Sequence, residues 1–259
     1  MNIPLLLLTL LAGHVIGDFY LQTNNMAHNK KTSRTWLAAH GAIYAVCMAL
    51  ALLVLVRFGG VAFSGNLIWI FVWTSCSHIA VDFLKRRVTW ERRFTANQFG
   101  RITALIEKHN LIKAFFLVDQ AIHLAFIFIA YWFWGRGLVV GCYIYEYTHQ
   151  ITIAFGLLCI LRPVSSLLES GFVWDLNLED SQKNASRMIG YLERIIVYFF
   201  VLNGEFSAIA LVIAVKAIVK FPDLKSDQNY LHIRHYTVIG TFLSLTAVLA
   251  IVTLLGLLP

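Results

Sequence analysis

Apolar runs of about 20 residues, the length needed to cross a bilayer, recur along the chain at approximately 3–22, 36–57, 61–84, 110–134, 138–161 and 235–258. A further stretch, 187–220, holds two shorter apolar runs separated by Asn203, Gly204 and Glu205. It reads either as two short spanning helices or as a re-entrant hairpin, and both return the chain to the same side. The pattern predicts an all-α, polytopic membrane bundle of about 6–8 transmembrane helices. Residues 1–134 would form a four-helix core, and 135–259 the C-terminal membrane helices.

Polar residues interrupt these runs at a fixed interval. GHVIGDFYLQ, residues 13–22, carries His14 and Asp18 four positions apart, which places both on one helical face. The spacing recurs in His40 and Tyr44, His78 and Asp82, and Asp119 and His123. The first and third segments both end in HxxxD, which hints at two helical hairpins of like design. Gly13 and Gly17 form a GxxxG beside His14 and Asp18, a pattern that lets a second helix approach closely.

Composition agrees with the pattern. The chain has 259 residues, 59% of them hydrophobic and 14% charged, where a soluble domain has about a quarter charged. Met1–Leu11 lacks a basic leader and the run continues without a small-residue cleavage site, so it reads as a retained first helix. The net charge of +7 resides in loops. Lys30, Lys31 and Arg34 follow the first segment; Lys85, Arg86, Arg87, Arg92, Arg93, Arg101 and Lys108 follow the third; Arg162, Lys183 and Arg187 follow the fifth. The connection Lys220 to Arg234 is basic again, whereas the alternate loops carry little beyond Arg57 and Arg136. The positive-inside rule then makes the basic loops cytoplasmic and both termini external, in an inner (cytoplasmic) membrane. It also accounts for the charge without nucleic acid.

Within the basic loop after segment three, Phe99, Ile102, Leu105 and Ile106 share a helical face with Arg101, Glu107 and Lys108 off it. This reads as an interfacial helix on anionic lipid or as a solvated loop. The connection from Arg162 to Arg187, with Glu169, Phe172, Trp174, Asp175, Glu179 and Asp180, either caps the polar cluster or merely connects.

On this topology all four pairs fall toward the cytoplasmic leaflet. Three unpaired intramembrane carboxylates would oppose insertion by roughly 8 to 10 kcal/mol, so a compensating interaction is required. A bound cation, an Asp–His network acting as structural glue, or a proton or ion path would each supply it. A metal held by His14, Asp18, His40, His78, Asp82, Asp119 and His123 is the leading expectation. Imidazole plus carboxylate without thiolate suits a divalent transition metal, zinc by default. Seven candidates exceed one zinc's needs, which implies two ions or supporting partners. Such a centre activates water against an ester or phosphoester, and at this depth the partner would be membrane lipid or a lipid-linked substrate. In that hydrolase reading Asp18 and Asp82 are catalytic ligands, with Tyr44 and Lys85 placed to contact substrate. The alternatives are an ion- or proton-coupled transporter and a non-catalytic membrane scaffold.

Other polar residues read as peripheral. His28 and His109 fall in loops and His149 on the outer side; Cys47, Cys76, Cys142 and Cys159 read as buried inert thiols. Glu193 and Arg194 read as an interfacial pair, with Lys216 either reaching the cytoplasmic surface or neutralising Glu193 or Glu205.

GDFYLQTNNMAHNK, HGAIY, HIAVDFLK and FLVDQAIHL, in this order, resemble the bacterial membrane-protein family catalogued as domain of unknown function 3307. The likeness covers roughly residues 1–130, and IGYLER and AVKAIVKF are similar to the C-terminal extension of its longer members. It implies membrane helices and carries no mechanism. The HxxxD spacing is also similar to helical metal-dependent hydrolases of the phospholipase C and nuclease type, a likeness of spacing alone.

Overall fold

Two serine and threonine caps set the first turns of the fold. Thr23 accepts a hydrogen bond from the Met26 N–H at 3.2 Å and opens α2, Asn24–Asn29; Ser33 accepts from the Trp36 N–H at 3.5 Å and opens α3, Arg34–Arg57. The computed structural model describes residues 3–95, 111–141, 144, 146–172, 180–225 and 230–259, all-α with no strand among them. The remaining helices are α1 (Leu5–Val15), α4 (Gly65–Thr95), α5 (Leu111–Ala130), α6 (Thr148–Ile160), α7 (Arg162–Phe172), α8 (Asp180–Leu202), α9 (Phe206–Lys225) and α10 (Tyr230–Leu254).

Among the described residues four stretches, Arg34–Arg57, Gly65–Arg86, Phe116–Gly135 and Thr148–Glu169, are long and apolar enough to cross a membrane. Leu5–Tyr20, Phe206–Ile218 and Val238–Leu254 are shorter apolar helices. This is a helical membrane protein. Its outward surface is apolar: Val46, Leu50 and Leu53 on α3 and Ile68, Trp69 and Val72 on α4 are exposed, while the histidines of both helices face inward. Lipid tails reward no burial of leucine, so the polar face is the one that must find protein partners.

Contacts divide the chain into two compact units, one of Ile3–Ile151 and one that includes Thr152–Pro259. In the first unit α1, α3, α4 and α5 pack in sequence and α1 also touches α5. A Cβ on Gly13 would lie 2.9 Å from Met48 Sδ, and one on Gly17 3.1 Å from the Tyr44 ring. The two glycines thus let α3 lie directly against α1. In the second unit α8 packs on α9 and α10, and α7 on α10.

The fifth segment differs from the expectation of a helix over 138–161. Helix α6 starts only at Thr148, and α7 carries the span on to Glu169. Gly135, Gly137 and Gly141 break the chain before it: Leu138 N–H bonds Gly135 C=O at 3.0 Å, and Gly141 N–H reaches back to Gly59 C=O at 2.6 Å. Pro163 lies in the first turn of α7, where no intrahelical donor is needed, so it does not end the span. The stretch 187–220 resolves into α8 and α9 joined at Gly204, whose φ of +72° suits glycine. The expected amphipathic helix of Phe99, Ile102, Leu105 and Ile106 lies outside the described residues, as do Trp174, Asp175, Glu179, His109 and Cys142. Of the other cysteines Cys47 is buried, whereas Cys76 is exposed, on the outward face of α4.

Candidate functional site

Four helices of the first unit each contribute one spaced pair to a single buried cluster. His14 comes from α1, and Asp18 from a π-helical turn, Ile16–Tyr20, that continues it and closes with Leu21 N–H on Ile16 C=O at 2.9 Å. Such wide single turns inside helices are frequent at functional sites. α3 provides His40 and Tyr44, α4 His78 and Asp82, and α5 Asp119 and His123. Each of the seven histidines and aspartates is at most 8% exposed.

At the centre, His40 Nε2 lies 3.1 Å from His78 Nε2. Asp18 Oδ1 approaches both, at 3.3 Å and 3.2 Å. Asp82 Oδ2 approaches them from its own helix, at 3.2 Å and 3.8 Å. A tetrahedral zinc shell with bonds of about 2.0–2.1 Å has ligand atoms about 3.3 Å apart, close to four of these five separations. Neutral imidazoles bring at most two N–H protons to this focus, too few to fill every contact among two nitrogens and two carboxylate oxygens. The arrangement is rich in lone pairs and suited to a cation.

Among the described residues three overlapping groups have ligand atoms within 4.8 Å of one another: His14, Asp18 and His78; His40, His78 and Asp82; and Asp82, Asp119 and His123. His78 joins the first two and Asp82 the last two. Within the pairs, His14 Nδ1 stands 4.0 Å from Asp18 Oδ2 and His123 Nε2 3.9 Å from Asp119 Oδ1.

Aromatic packing fixes the ring at the junction. Tyr44, fully buried, stacks flat on His78 with centroids 3.6 Å apart and planes 5° from parallel. The His123 ring lies 4.3 Å from His78, and His14 is edge-on to Tyr44, His78 and His123. Tyr44 is therefore set against an imidazole within the cluster.

Two lysines close the cluster from its rim. Lys85 Nζ donates to Asp119 Oδ2 at 2.5 Å. Lys30 Nζ donates to Asp82 Oδ2 at 2.7 Å and was not among the sequence candidates. Its pairing spans 52 positions, and its only local sign was a basic residue next to a segment with surplus carboxylates. Three carboxylates thus face two ammonium groups, and Asp18 is the acid for which no lysine contact occurs among the described residues. His28 and His149 are exposed.

In the second unit, the expected pair of Glu193 with Arg194 does not form. Glu193 takes Lys216 at 2.6 Å, while Arg194 is buried and donates to Ser165 Oγ at 2.5 Å and Ser244 Oγ at 3.4 Å. Consecutive helical residues diverge by about 100°, so neighbours in sequence do not share a face.

A family model with the description "Protein of unknown function (DUF3307)" matches residues 6–152, the stretch that carries all seven cluster residues. No curated protein and no solved structure matches the chain.

Proposed function

The chain belongs to this family of unknown function, and from that premise we propose that its buried His/Asp cluster is the metal centre of a membrane-embedded hydrolase. The substrate class is a lipid or lipid-linked ester or phosphoester, reached from the cytoplasmic leaflet of the inner membrane. The observation that carries this reading is the approach of the His40 and His78 Nε2 atoms to each other and to the carboxylate oxygens of Asp18 and Asp82. A divalent transition metal, zinc by default, satisfies all four at once.

Asp18, Asp82, His40 and His78 would hold the first ion, with Asp119, His123 and His14 available for a second ion or as partners of the first. Held by these residues, a metal would supply Lewis acidity and an activated water for ester or phosphoester hydrolysis. Lys30 and Lys85, at the rim, suit the anionic oxygens of a phosphoester. Tyr44 holds the His78 ring.

A second reading rests on those same lysines. Lys30 on Asp82 and Lys85 on Asp119 neutralise two of three carboxylates without a metal, which suits a proton- or ion-coupled transporter. Metal content of the detergent-purified protein, measured by elemental mass spectrometry for wild type and Asp82→Ala, separates the two. About one or two equivalents of a transition metal in wild type, lost in the variant, supports the centre and leads to a hydrolysis assay on phospholipids. No metal after chelator-free purification and none after reconstitution sinks the hydrolase.

A further inference from the structure

Lys30 reaches Asp82 from the connection between α1 and α3. It directly follows α2, whose first turn is capped by Thr23 and whose Met26 is buried. Its backbone N–H bonds Met26 C=O at 2.9 Å, Ser33 N–H bonds Asn29 C=O at 2.9 Å, and the Arg86 guanidinium of α4 donates to Thr32 C=O at 2.9 Å. The backbone is therefore held on both sides of Lys30, and the side chain alone is free to move. It has a flexible four-carbon stem and keeps 14% of its surface in solvent.

Its ammonium occupies an oxygen that a metal at the centre needs. Asp82 Oδ2, which Lys30 Nζ holds at 2.7 Å, is the atom that lies 3.2 Å from His40 Nε2 and 3.8 Å from His78 Nε2. Lys85 holds Asp119 Oδ2, outside this set of atoms. With the histidines neutral, three carboxylates against two ammonium groups leave the cluster one negative charge. A divalent ion turns this into one positive charge, and departure of one ammonium restores neutrality. Two cations on one buried carboxylate oxygen repel strongly, and Lys30 is the one with water within reach.

We propose that metal and Lys30 exchange on Asp82 Oδ2, so that loading the centre releases the Lys30 ammonium to bind an anionic oxygen of the substrate at the rim. The exchange rests on the metal reading of the cluster and adds an order of events to it, metal first and anionic substrate second. In the metal-free protein Asp82 neutralises Lys30, which has no charge to spare for a phosphoester. In the loaded protein the same ammonium is a positioning group beside the metal.

The test is acetylation of the full chain in detergent by acetic anhydride, with each lysine read by mass spectrometry. Three states are compared: metal-free, zinc-loaded with excess zinc removed, and zinc-loaded with inorganic phosphate added. Lys31, exposed and next in sequence, is the internal standard. Zinc loading should raise the Lys30 rate about tenfold, the worth of a charged hydrogen bond. Phosphate should lower it again, with Lys31 unchanged throughout. Asp18→Asn keeps the Lys30 partner and removes a metal ligand, so the same zinc should leave its Lys30 protected. An equal rise in this variant would overturn the proposal, and the wild-type arms decide if the variant does not fold. Zinc retained by elemental analysis without a rise at Lys30 overturns the exchange and leaves the metal centre standing. A rise that phosphate does not reverse overturns the anion-binding role. No zinc retained overturns the exchange and the metal reading together.

Discussion

His40 and His78, on neighbouring helices and 38 positions apart, bring their Nε2 atoms to 3.1 Å of each other. Two neutral imidazoles so placed share at most one hydrogen bond, whereas a common cation satisfies both. If the proposed metal centre is correct, replacing either with alanine should lower metal affinity at least about 100-fold. The double variant should lose little more than either single one. Elemental analysis after dialysis against a metal buffer measures this, and additive losses would argue for separate sites.

Asp18 distinguishes charge from shape. Asp18→Asn keeps the side-chain volume and removes one negative charge from the focus. We expect metal content to fall while the helical circular dichroism stays at the wild-type level. If Asp18→Asn bound metal as tightly as wild type, the central role given to this carboxylate would be wrong.

The Tyr44 stack predicts a split between two substitutions. Tyr44→Phe preserves the flat contact with His78 and should leave metal affinity within about threefold. Tyr44→Leu frees the ring and should weaken binding by about 10- to 100-fold, the range seen when a ligand loses its support. Equal effects would mean that the hydroxyl, not the stack, matters.

Lys30 would oppose a metal at the proposed centre on electrostatic grounds, because it occupies Asp82 Oδ2. Lys30→Met should tighten metal binding several-fold and destabilise the metal-free protein by about 2 kcal/mol, the worth of a charged hydrogen bond. Calorimetric titration and unfolding in chelator read the two effects separately. Weaker metal binding in Lys30→Met would reverse the assigned role.

Gly17 tests the helix contact that supports the cluster. A larger side chain there meets the Tyr44 ring, so Gly17→Val should cost about 1–3 kcal/mol by overpacking and reduce metal content as well. Unchanged stability would show that α1 and α3 can separate without consequence.

Much of this arrangement was legible in the chain. Four pairs at helical spacing, each interrupting an apolar run, name the residues that the fold gathers, because an acid or imidazole in a spanning helix must turn inward. Gly13 and Gly17 likewise pointed to a close helix contact, which the fold makes with α3. What was not legible depends on long-range geometry. No local pattern ties Lys30 to Asp82, and the π turn at Asp18 has no sequence signature. The Glu193–Arg194 pairing was misjudged because adjacency in sequence was taken for adjacency in space. The start of α6 was missed because hydropathy continues through 138–147 while three glycines break the helix.

The two rim lysines also bear on how the protein is made. Lys30 precedes Asp82 by 52 positions and Lys85 precedes Asp119 by 34. During synthesis, the ammonium that balances each of these acids has already emerged when the helix carrying the acid follows. The later helices can thus enter the bilayer against a counter-charge already laid down, and the order of residues along the chain becomes an order of neutralisation.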